Sequence, residues 1–280
     1  MRQYRPDSLH VGQTANARLC QRRHHEGNGR MTSLGEVFLW ELLGTAILTL
    51  MGCGVVANVS LSKSLGVGGG WLLVNFGWGF AVFAGASIAE PSGAHINPAI
   101  TFGLAITGDV SWGQVPVYIL AQIIGAVLGA VLCWAAYKLQ FDTTEAPADT
   151  RGIFCTGPTV PNAPWNLVTE IIGTFVLVLW IITNPPASPG DTPGVPDFGN
   201  AALGYAAVAF IVIGIGNSLG GPTGYAINPA RDLGPRIAYA ILPIRGKGSP
   251  EWGYSWVPIA GPIIGGVLAG LLALALPISS

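Results

Sequence analysis

The tripeptide Asn-Pro-Ala occurs twice in this chain, as Asn97-Pro98-Ala99 and as Asn228-Pro229-Ala230. The two asparagines lie 131 residues apart and each follows a similar frame, Gly-Ala-His-Ile in the first copy and Gly-Tyr-Ala-Ile in the second. Asn caps helices, Pro fits their first turn and Ala lets backbones approach closely, so each copy predicts a helix start. Two such starts at bilayer depth would aim two amide groups and two positive dipole ends at one point.

Charged side chains also lie within apolar segments, at Arg231, Glu41 and Glu170. A charge at such a position is costly and marks a functional site by default. The Arg231 guanidinium offers fixed donors for a hydroxyl or water oxygen and repels cations, although an ion pair with Asp232 is the alternative. The two Glu could form the proton relay of a coupled transporter or accept backbone N–H groups of a neighbouring loop, and their matching placement favours the second role.

The composition indicates a membrane protein with few charges. Half of the residues are hydrophobic, 10% are charged and the mean hydropathy is +0.52, whereas an average soluble domain carries roughly 25% charged residues. The net charge of −1 excludes a basic surface for nucleic acid. The four cysteines lack metal-ligand or disulfide spacing, and no nucleophile–base pair or phosphate loop indicates an enzyme, so we expect no cofactor and no metal.

Six apolar stretches are each close to the ~20 residues that span a bilayer. They cover residues 35–57, 70–89, 114–138, 165–184, 200–219 and 255–276. Two shorter stretches follow the Asn-Pro-Ala triplets, near 97–106 and 228–240, and predict helices that enter the membrane only halfway. The fold class expected from this pattern is an all-α membrane protein that crosses the lipid bilayer several times.

The two halves of the chain repeat one another. The segment Glu41-Leu-Leu-Gly-Thr45 matches Glu170-Ile-Ile-Gly-Thr174, 129 residues later. Each half holds three spans and one half-helix, and an odd number of spans forces the second half to be inverted, so the half-helices meet near the midplane. We therefore expect a single channel domain at 34–276, made of repeat one at 34–138, a connector at 139–164 and repeat two at 165–276.

Residues 1–33 differ from the rest because they are rich in Arg and have no apolar run. We interpret them as a disordered tail or as a non-native upstream extension, with Met31 as the natural start. The alternative is a contact with anionic lipid or a signal for orientation.

The paired Asn-Pro-Ala motifs, the six long and two short apolar segments and the Glu at the start of each repeat together resemble the major intrinsic protein family, the aquaporins and glycerol facilitators. The resemblance covers residues 34–276, and the stretch from Gly220 to Arg236 is similar to bacterial glycerol facilitators. It implies six transmembrane helices plus two re-entrant half-helices in an inverted repeat. It also implies a multi-pass protein of the cell membrane and a homotetramer with one pore per subunit.

The resemblance also implies a selectivity filter. Arg231 is its arginine, Gly216 occupies the place where water-selective relatives carry a bulky His and leaves a wide gap, and Tyr225 is one of its aromatics. The remaining aromatic is Trp78 or Phe76, of which we favour Trp78. The resemblance assigns three further roles. Asn97 and Asn228 are pore donors, and Glu41, Glu170 and Asp232 support the loops. The backbone that lines the pore belongs to Gly93, Ala94, His95, Gly224, Tyr225 and Ala226.

The function expected from these residues is passive diffusion of glycerol and other small neutral solutes, with water. Urea, dihydroxyacetone, hydrogen peroxide and neutral lactic acid would also fit a wide filter. Two alternatives are a water-selective aquaporin, which Gly216 and Asp232 disfavour, and a proton-coupled secondary transporter, for which the two symmetric Glu are the sole candidate pathway acids.

Overall fold

The computed structural model describes residues 33–144, 150–184 and 200–277. These residues fold into α-helices joined by loops and contain no β-strand, so the predicted all-α fold is confirmed. The helices, in chain order, are α1 Leu34–Ser60, α2 Gly70–Ala89, α3 Pro98–Thr107, α4 Val115–Ala136, α5 Lys138–Thr143, α6 Arg151–Phe154, α7 Ala163–Thr183, α8 Asn200–Leu219, α9 Pro229–Ile241 and α10 Val257–Ala275.

Helix length separates the spanning helices from the re-entrant ones. Among the described residues, α1, α2, α4, α7 and α10 are long and apolar enough to cross a bilayer, and the apolar stretch Tyr205–Leu219 of α8 is shorter. Helix α8 as a whole occupies the position of the predicted span at 200–219. Helices α3 and α9 have 10 and 13 residues, which at about 1.5 Å per residue is too short for a core of about 30 Å.

The predicted Arg-rich tail lies outside the described residues, except for Ser33. The Ser33 side chain accepts a hydrogen bond from the Glu36 backbone N–H, and the Glu36 carboxylate accepts one from the Ser33 N–H. This capping box starts α1 at the position expected from the apolar pattern.

The first and last spans of each half pack against each other in matching pairs, α1 with α4 and α7 with α10. Small residues allow this approach: a Cβ added to Gly125 would overlap the Leu42 carbonyl, and one added to Gly265 would lie 2.5 Å from the Ile171 carbonyl oxygen. Close backbone contact of this kind replaces the hydrophobic driving force that is missing in lipid.

The half-helices are exchanged between the halves. Helix α3 of the first half packs on α10 of the second, and α9 of the second half packs on α4 of the first, while α2 contacts α8. Gly266 lies against the Ala99 carbonyl and Gly234 lies against Ala126. Each half-helix is therefore held by the last span of the other half, and both N-termini are buried between the halves.

Candidate functional site

The two asparagines cap their own half-helices and bind the opposite loop. Asn97 Oδ1 accepts from the Ala99 N–H at 2.9 Å, and Asn228 Oδ1 accepts from the Ala230 N–H at 3.0 Å. Asn97 Nδ2 donates to the Ile227 carbonyl at 2.9 Å, and Asn228 Nδ2 donates to the Ile96 carbonyl at 2.8 Å. Each amide oxygen thus accepts at least one hydrogen bond, and within the described part of the chain one of the two N–H bonds of each amide has no acceptor.

The loop before each half-helix has a strained backbone at matching positions. Ala94 and Ile96 have φ of 56° and 44°, and their counterparts Tyr225 and Ile227 have φ of 37° and 44°. Positive φ is a genuine outlier for a β-branched residue, and such strain costs on the order of 1–3 kcal/mol per residue. Non-helical backbone at this depth is tolerated where it faces a cavity, as the pore-lining prediction for these loops requires.

Glu41 supports the strained loop of the first half. Its carboxylate is fully buried and accepts from the backbone N–H groups of His95 at 2.9 Å and Ile96 at 2.7 Å. Ser92 Oγ and Gln122 Nε2 donate to the same carboxylate at 2.8 and 2.7 Å. These contacts correspond to the loop-support alternative for Glu41, and they leave little lone-pair capacity for a mobile proton.

Glu170 repeats the arrangement in the second half. It accepts from the backbone N–H groups of Ala226 and Ile227 at 2.9 Å each, and from Thr223 Oγ1 at 2.7 Å. Thr223 corresponds to Ser92, so each loop contributes one hydroxyl as well as two N–H groups. Sequence reasoning missed these hydroxyls, although their equal distance from the two asparagines is a signal that could have found them.

Three cavities follow one another through the protein. A wide cavity of about 560 Å³ and a narrow middle one of about 40 Å³ share Trp78, Tyr225 and Arg231 as lining residues. The middle cavity also reaches Asn97 and Asn228, and a third cavity of about 330 Å³ shares His95 with it. The path is therefore narrowest between the Arg231 region and the two asparagines.

Arg231 and Trp78 form one wall of the narrow region. The guanidinium carbon of Arg231 lies 3.7 Å from the centre of the Trp78 ring, and both side chains are buried. Nη1 of Arg231 and Nε1 of Trp78 have no hydrogen-bond acceptor among the described residues. A buried donor without a partner costs free energy, so these two N–H groups are available to the oxygen atoms of a passing solute.

Phe76 lies on the opposite side of α2 from Trp78. Its ring is 40% exposed and packs 6.3 Å from the Phe80 ring, whereas Trp78 is 3% exposed and lies against Gly52 of α1. Residues two positions apart on a helix point about 200° apart, which explains why one ring faces inward and the other outward. Of the two aromatics that the sequence left open, the structure brings Trp78 to Arg231.

The space beside Gly216 is occupied, which differs from the wide gap expected at this position. A Cβ added to Gly216 would lie 2.7 Å from Cζ of Tyr225 and 2.6 Å from Oδ1 of Asn75. The glycine makes room for the tip of the Tyr225 ring, whose other side meets the Trp71 ring edge at a centroid distance of 5.7 Å. The missing side chain of Gly216 thus allows the Tyr225 ring to adopt this position.

Asp232 pairs with Arg236, a residue that sequence reasoning missed, and not with Arg231. Both partners are fully buried, and Arg236 Nε donates to Asp232 Oδ1 at 2.8 Å. Asp232 Oδ2 also accepts from the N–H and Oγ1 of Thr156 at 2.7 Å each. Thr156 in turn lies 3.5 Å from the Cβ position of Gly224, so this pair supports the loop beside Tyr225.

Arg236 also holds the loop that precedes α10. It donates to the carbonyls of Pro250 at 2.5 Å and Glu251 at 3.2 Å, and to the Thr156 carbonyl at 2.9 Å. Glu251 adopts φ of 51° and its carboxylate contacts Arg151. One guanidinium thereby joins Thr156, which lines the wide cavity, and the loop before α10 to α9. The i,i+4 spacing of Asp232 and Arg236 was the available sequence signal.

The Lys247 side chain caps the C-terminus of α9. Its ammonium donates to the carbonyls of Tyr239, Ala240 and Leu242 at 2.6, 2.8 and 2.7 Å. These are the carbonyls that a helix leaves unpaired at its C-terminus, where a positive charge also complements the dipole. Partial burial lowers the pKa of the Lys247 ammonium.

His95 is fixed by its side chain as well as by its backbone. Its Nδ1 lies 3.0 Å from Thr101 Oγ1, and its ring stacks on Tyr118 at a centroid distance of 4.2 Å. The Tyr118 hydroxyl donates to the Ser92 carbonyl at 2.5 Å. Gly93 has φ of 93° and Gly224 has φ of 82°, so the two predicted lining glycines begin the strained loops at equivalent points.

Comparison with known proteins gives three concordant results. The family model described as Major intrinsic protein matches residues 30–273. The glycerol uptake facilitator protein of Bacillus subtilis (strain 168) is 49% identical over 235 residues, which cover 84% of this chain and 82% of the relative. The D/L-lactic acid transporter of Lactiplantibacillus plantarum is 35% identical over 233 residues, covering 82% and 92% of the two chains.

Among solved structures, the X-ray structure of the aquaglyceroporin from Plasmodium falciparum is similar, with a TM-score of 0.73 and 30% sequence identity. The similarity covers 86% of this chain and 95% of that chain. The region matched by the family model begins before α1 and ends within α10, so it includes every residue of the site described above.

Proposed function

The chain belongs to the major intrinsic protein family, and from this premise we propose that it is a passive channel for glycerol and other small neutral solutes, with water. The protein is a multi-pass membrane channel and not an enzyme. The relative from Bacillus subtilis, at 49% identity, is a glycerol uptake facilitator, which supports glycerol as the main solute.

The observation that carries this proposal is the chemistry of the narrow region. Trp78 and Tyr225 offer apolar ring surface, while Nη1 of Arg231 and Nε1 of Trp78 are buried donors for which the described residues provide no acceptor. A polyol has a carbon backbone on one side and hydroxyl oxygens on the other, and aromatic faces with N–H edges match both. A filter for water alone needs no apolar surface of this kind.

The site residues have three roles in this proposal. Asn97 and Asn228 donate their remaining N–H groups to a solute oxygen at the pore centre, where the dipole ends of α3 and α9 repel cations. Trp78, Gly216, Tyr225 and Arg231 select by size and hydrogen bonding. Glu41, Glu170 and Asp232 hold the loops whose backbone lines the path, at Gly93, Ala94, His95, Gly224 and Ala226.

The geometry around the two Glu argues against proton coupling. Both carboxylates accept hydrogen bonds from fixed backbone N–H groups, and these donors cannot move away to let a proton pass. A relay would need a chain of groups that can both accept and release protons. We therefore keep the scaffold role for Glu41 and Glu170.

Stopped-flow light scattering on proteoliposomes tests the proposal. The expected result is glycerol flux that rises linearly with the gradient, does not saturate and does not respond to an imposed pH or ion gradient. Liposomes without protein serve as the reference for leak. Water flux without glycerol flux would favour the water-selective alternative, and flux that follows a proton gradient would favour the transporter.

The same assay defines the wider solute range. Urea, dihydroxyacetone and hydrogen peroxide are neutral and small enough to be candidates, and the similarity to a D/L-lactic acid transporter adds neutral lactic acid. Lactic acid flux that falls as the pH rises above the acid's pKa would indicate that the neutral acid is the permeant form.

Two further points belong to the proposal. We infer a homotetramer with one pore per subunit, which native mass spectrometry in detergent would test. We also infer that residues 34–276 form a single channel domain and that residues 1–30, upstream of Met31, are dispensable for permeation. A chain started at Met31 should then retain the full glycerol permeability per channel.

A further inference from the structure

Trp71 lies on the same face of α2 as Trp78, beside the wide cavity. The two residues are seven positions apart, which is about two turns of helix. Both rings line the wide cavity, together with Tyr225 and Arg231. The Trp78 ring also lines the narrow middle cavity, whereas the Trp71 ring does not. Trp71 is therefore the aromatic residue of α2 that a solute passes immediately before or after the narrow region.

A hydrogen bond ties the Trp71 ring to the end of α8. Trp71 Nε1 donates to the Gly216 carbonyl at 3.1 Å. Gly216 belongs to the last turn of α8, which ends at Leu219, and the carbonyls of a last turn have no partner within the helix. Nε1 of Trp78, in contrast, has no acceptor among the described residues. The Trp71 N–H is thus already used within the protein, so the effect of Trp71 on a solute must come from its ring.

The Trp71 ring packs against Tyr225. The two rings are perpendicular with their centroids 5.7 Å apart, which is a favoured arrangement of aromatic pairs. Gly220 lies in the corner between them, because a Cβ there would lie 2.5 Å from Cδ1 of Tyr225 and 3.0 Å from Cζ2 of Trp71. The absence of a side chain at Gly220 therefore lets the two rings meet.

Packing alone fixes the position of the Tyr225 ring. Its hydroxyl has no hydrogen-bond partner in the part of the chain that the structure describes, so the contacts of the ring must hold it, and Trp71 contributes the aromatic one. Tyr225 lines both the wide and the narrow cavity. A Tyr225 ring without its Trp71 contact could turn toward the wide cavity, and the path beside Arg231 would then widen.

We propose that Trp71 is a positioning residue for the selectivity filter: anchored to the Gly216 carbonyl, it holds the Tyr225 ring in the wall of the narrow region and so limits the size of the solutes that pass. A solute larger than glycerol must displace the Tyr225 ring, and the contact with Trp71 sets part of the free energy that this displacement costs. The inference rests on the proposed function, because it assigns part of the size selection of that same filter.

The ratio of erythritol to glycerol permeability, measured by stopped flow on proteoliposomes, tests the inference. Erythritol has one carbon and one hydroxyl more than glycerol. In Trp71→Ala the Tyr225 ring moves at lower cost, and the ratio should rise about twofold to tenfold, the factor that corresponds to the free energy of one aromatic pair. Both solutes are measured on the same vesicles, so a smaller amount of folded protein does not change the ratio. An unchanged or lower ratio in Trp71→Ala would overturn the inference.

A second substitution shows whether Trp71 acts through Tyr225. In a Tyr225→Ala background the ring that Trp71 holds is gone, so adding Trp71→Ala should leave the ratio at the value of Tyr225→Ala alone. A further rise in the double variant would mean that Trp71 selects by touching the solute itself, and the positioning role would be wrong.

Trp256→Ala is the matched control. Trp71 and Trp256 are both 46% exposed, but Trp256 lines none of the three cavities, so its loss should keep the ratio of the wild type. Trp71→Phe retains a ring and loses the bond to the Gly216 carbonyl. It should raise the ratio less than Trp71→Ala does, and it decides the matter if Trp71→Ala does not fold, since an unchanged ratio would then contradict the inference.

The wild-type measurement separates this inference from the proposed function. A wild type that conducts water and no glycerol contradicts the function, whereas the inference then predicts that Trp71→Ala raises the ratio of glycerol to water permeability. A wild type that conducts glycerol, with the same erythritol to glycerol ratio in Trp71→Ala, contradicts the inference alone.

Discussion

The guanidinium carbon of Arg231 lies 3.7 Å from the centre of the Trp78 ring, so the cation and the aromatic face that form one wall of the narrow region also stabilise each other. A contact of this kind contributes about 0.5–2 kcal/mol, with the higher values at desolvated sites. Trp78 therefore sets the orientation of Arg231 as well as the width of the path.

Replacing Trp78 tests both effects. Trp78→Ala should widen the filter and reduce the discrimination among linear polyols of increasing length, because the large ring is lost and Arg231 is no longer oriented. Phe76→Ala is the control from the same helix. It should cost some stability through lost packing and leave the order of permeabilities unchanged. The measurement is stopped-flow permeability to glycerol, erythritol and xylitol, and equal changes in both variants would contradict the assignment.

The barrier to cations should depend on Arg231 together with the helix ends. Arg231→Val should keep or raise solute flux and allow some leak of protons or cations, because the two half-helix dipoles retain part of the barrier. Adding Asn228→Asp should increase the leak by placing a negative charge at the pore centre. Proton leak is measured with a pH-sensitive dye inside vesicles under a potassium gradient. A leak that stays at the wild-type level in both variants would contradict this account.

Gly216 should control the filter through Tyr225. Gly216→Ala places a methyl group where Tyr225 Cζ and Asn75 Oδ1 already approach to 2.7 and 2.6 Å, so the ring must move. Glycerol permeability should fall more than water permeability, and Gly216→His should extend the same trend. Gly54→Ala is the control, since a Cβ there meets no atom within 4 Å. Equal losses of glycerol and water flux would show that Gly216 is not a size determinant.

The loop-support role of Glu170 predicts a loss of stability. Glu170→Gln replaces the carboxylate oxygen that accepts from the Ile227 N–H by an NH₂ group, which can only donate. It also removes the negative charge that strengthens the other hydrogen bonds. The free energy of unfolding should fall by about 1.5–3 kcal/mol, the range for hydrogen bonds to charged groups. Thermal unfolding in detergent measures this change. Glu41→Gln should lower the stability in the same way, and Glu90→Gln, at an exposed position, should leave it unchanged. A stable Glu170→Gln variant that abolishes pH-driven flux would instead indicate a proton relay.

The pair of Asp232 and Arg236 should be sensitive to the loss of one partner. Arg236→Met leaves Asp232 buried without its cation, which typically costs about 3–5 kcal/mol. The double variant Arg236→Met with Asp232→Leu should be more stable than Arg236→Met alone, because no buried charge is left unpaired. The comparison of the two melting temperatures is the test. A double variant less stable than the single one would show that Asp232 stabilises the fold without Arg236, through its bonds to Thr156.

The sequence predicted the fold well because each element has a local signal. The apolar lengths and the Asn and Pro residues at helix starts placed the ends of the spanning and re-entrant helices within a few residues of those observed. The short helices α5 and α6 lie in the segment expected to be a connector and were not predicted. The inverted arrangement followed from counting three spans and one half-helix in each half. These signals depend on residues that are neighbours along the chain. The bilayer adds the requirement that backbone groups pair within each span, which makes the apolar segments helical.

The proposed filter was harder to predict because its residues come from different helices. Gly216 could be placed by its spacing to Arg231, but the register of α2 was ambiguous, since Glu90–Ser92 form a turn of 3₁₀ helix before Gly93. The partners of Arg236 at Thr156 and Pro250, and the place of Asn75 beside Gly216, depend on packing between distant segments. The sequence contains no local pattern that indicates such contacts.

The crossed hydrogen bonds of the two asparagines have a consequence for biosynthesis. Asn97 Nδ2 binds the Ile227 carbonyl and Asn228 Nδ2 binds the Ile96 carbonyl, so neither amide finds its final partner until the ribosome has passed residue 228. The first half must therefore wait in the membrane with its re-entrant helix incompletely docked while more than a hundred further residues are inserted. Maturation of the pore is a single late event shared by both halves, and a chain interrupted before that point yields no half-working channel.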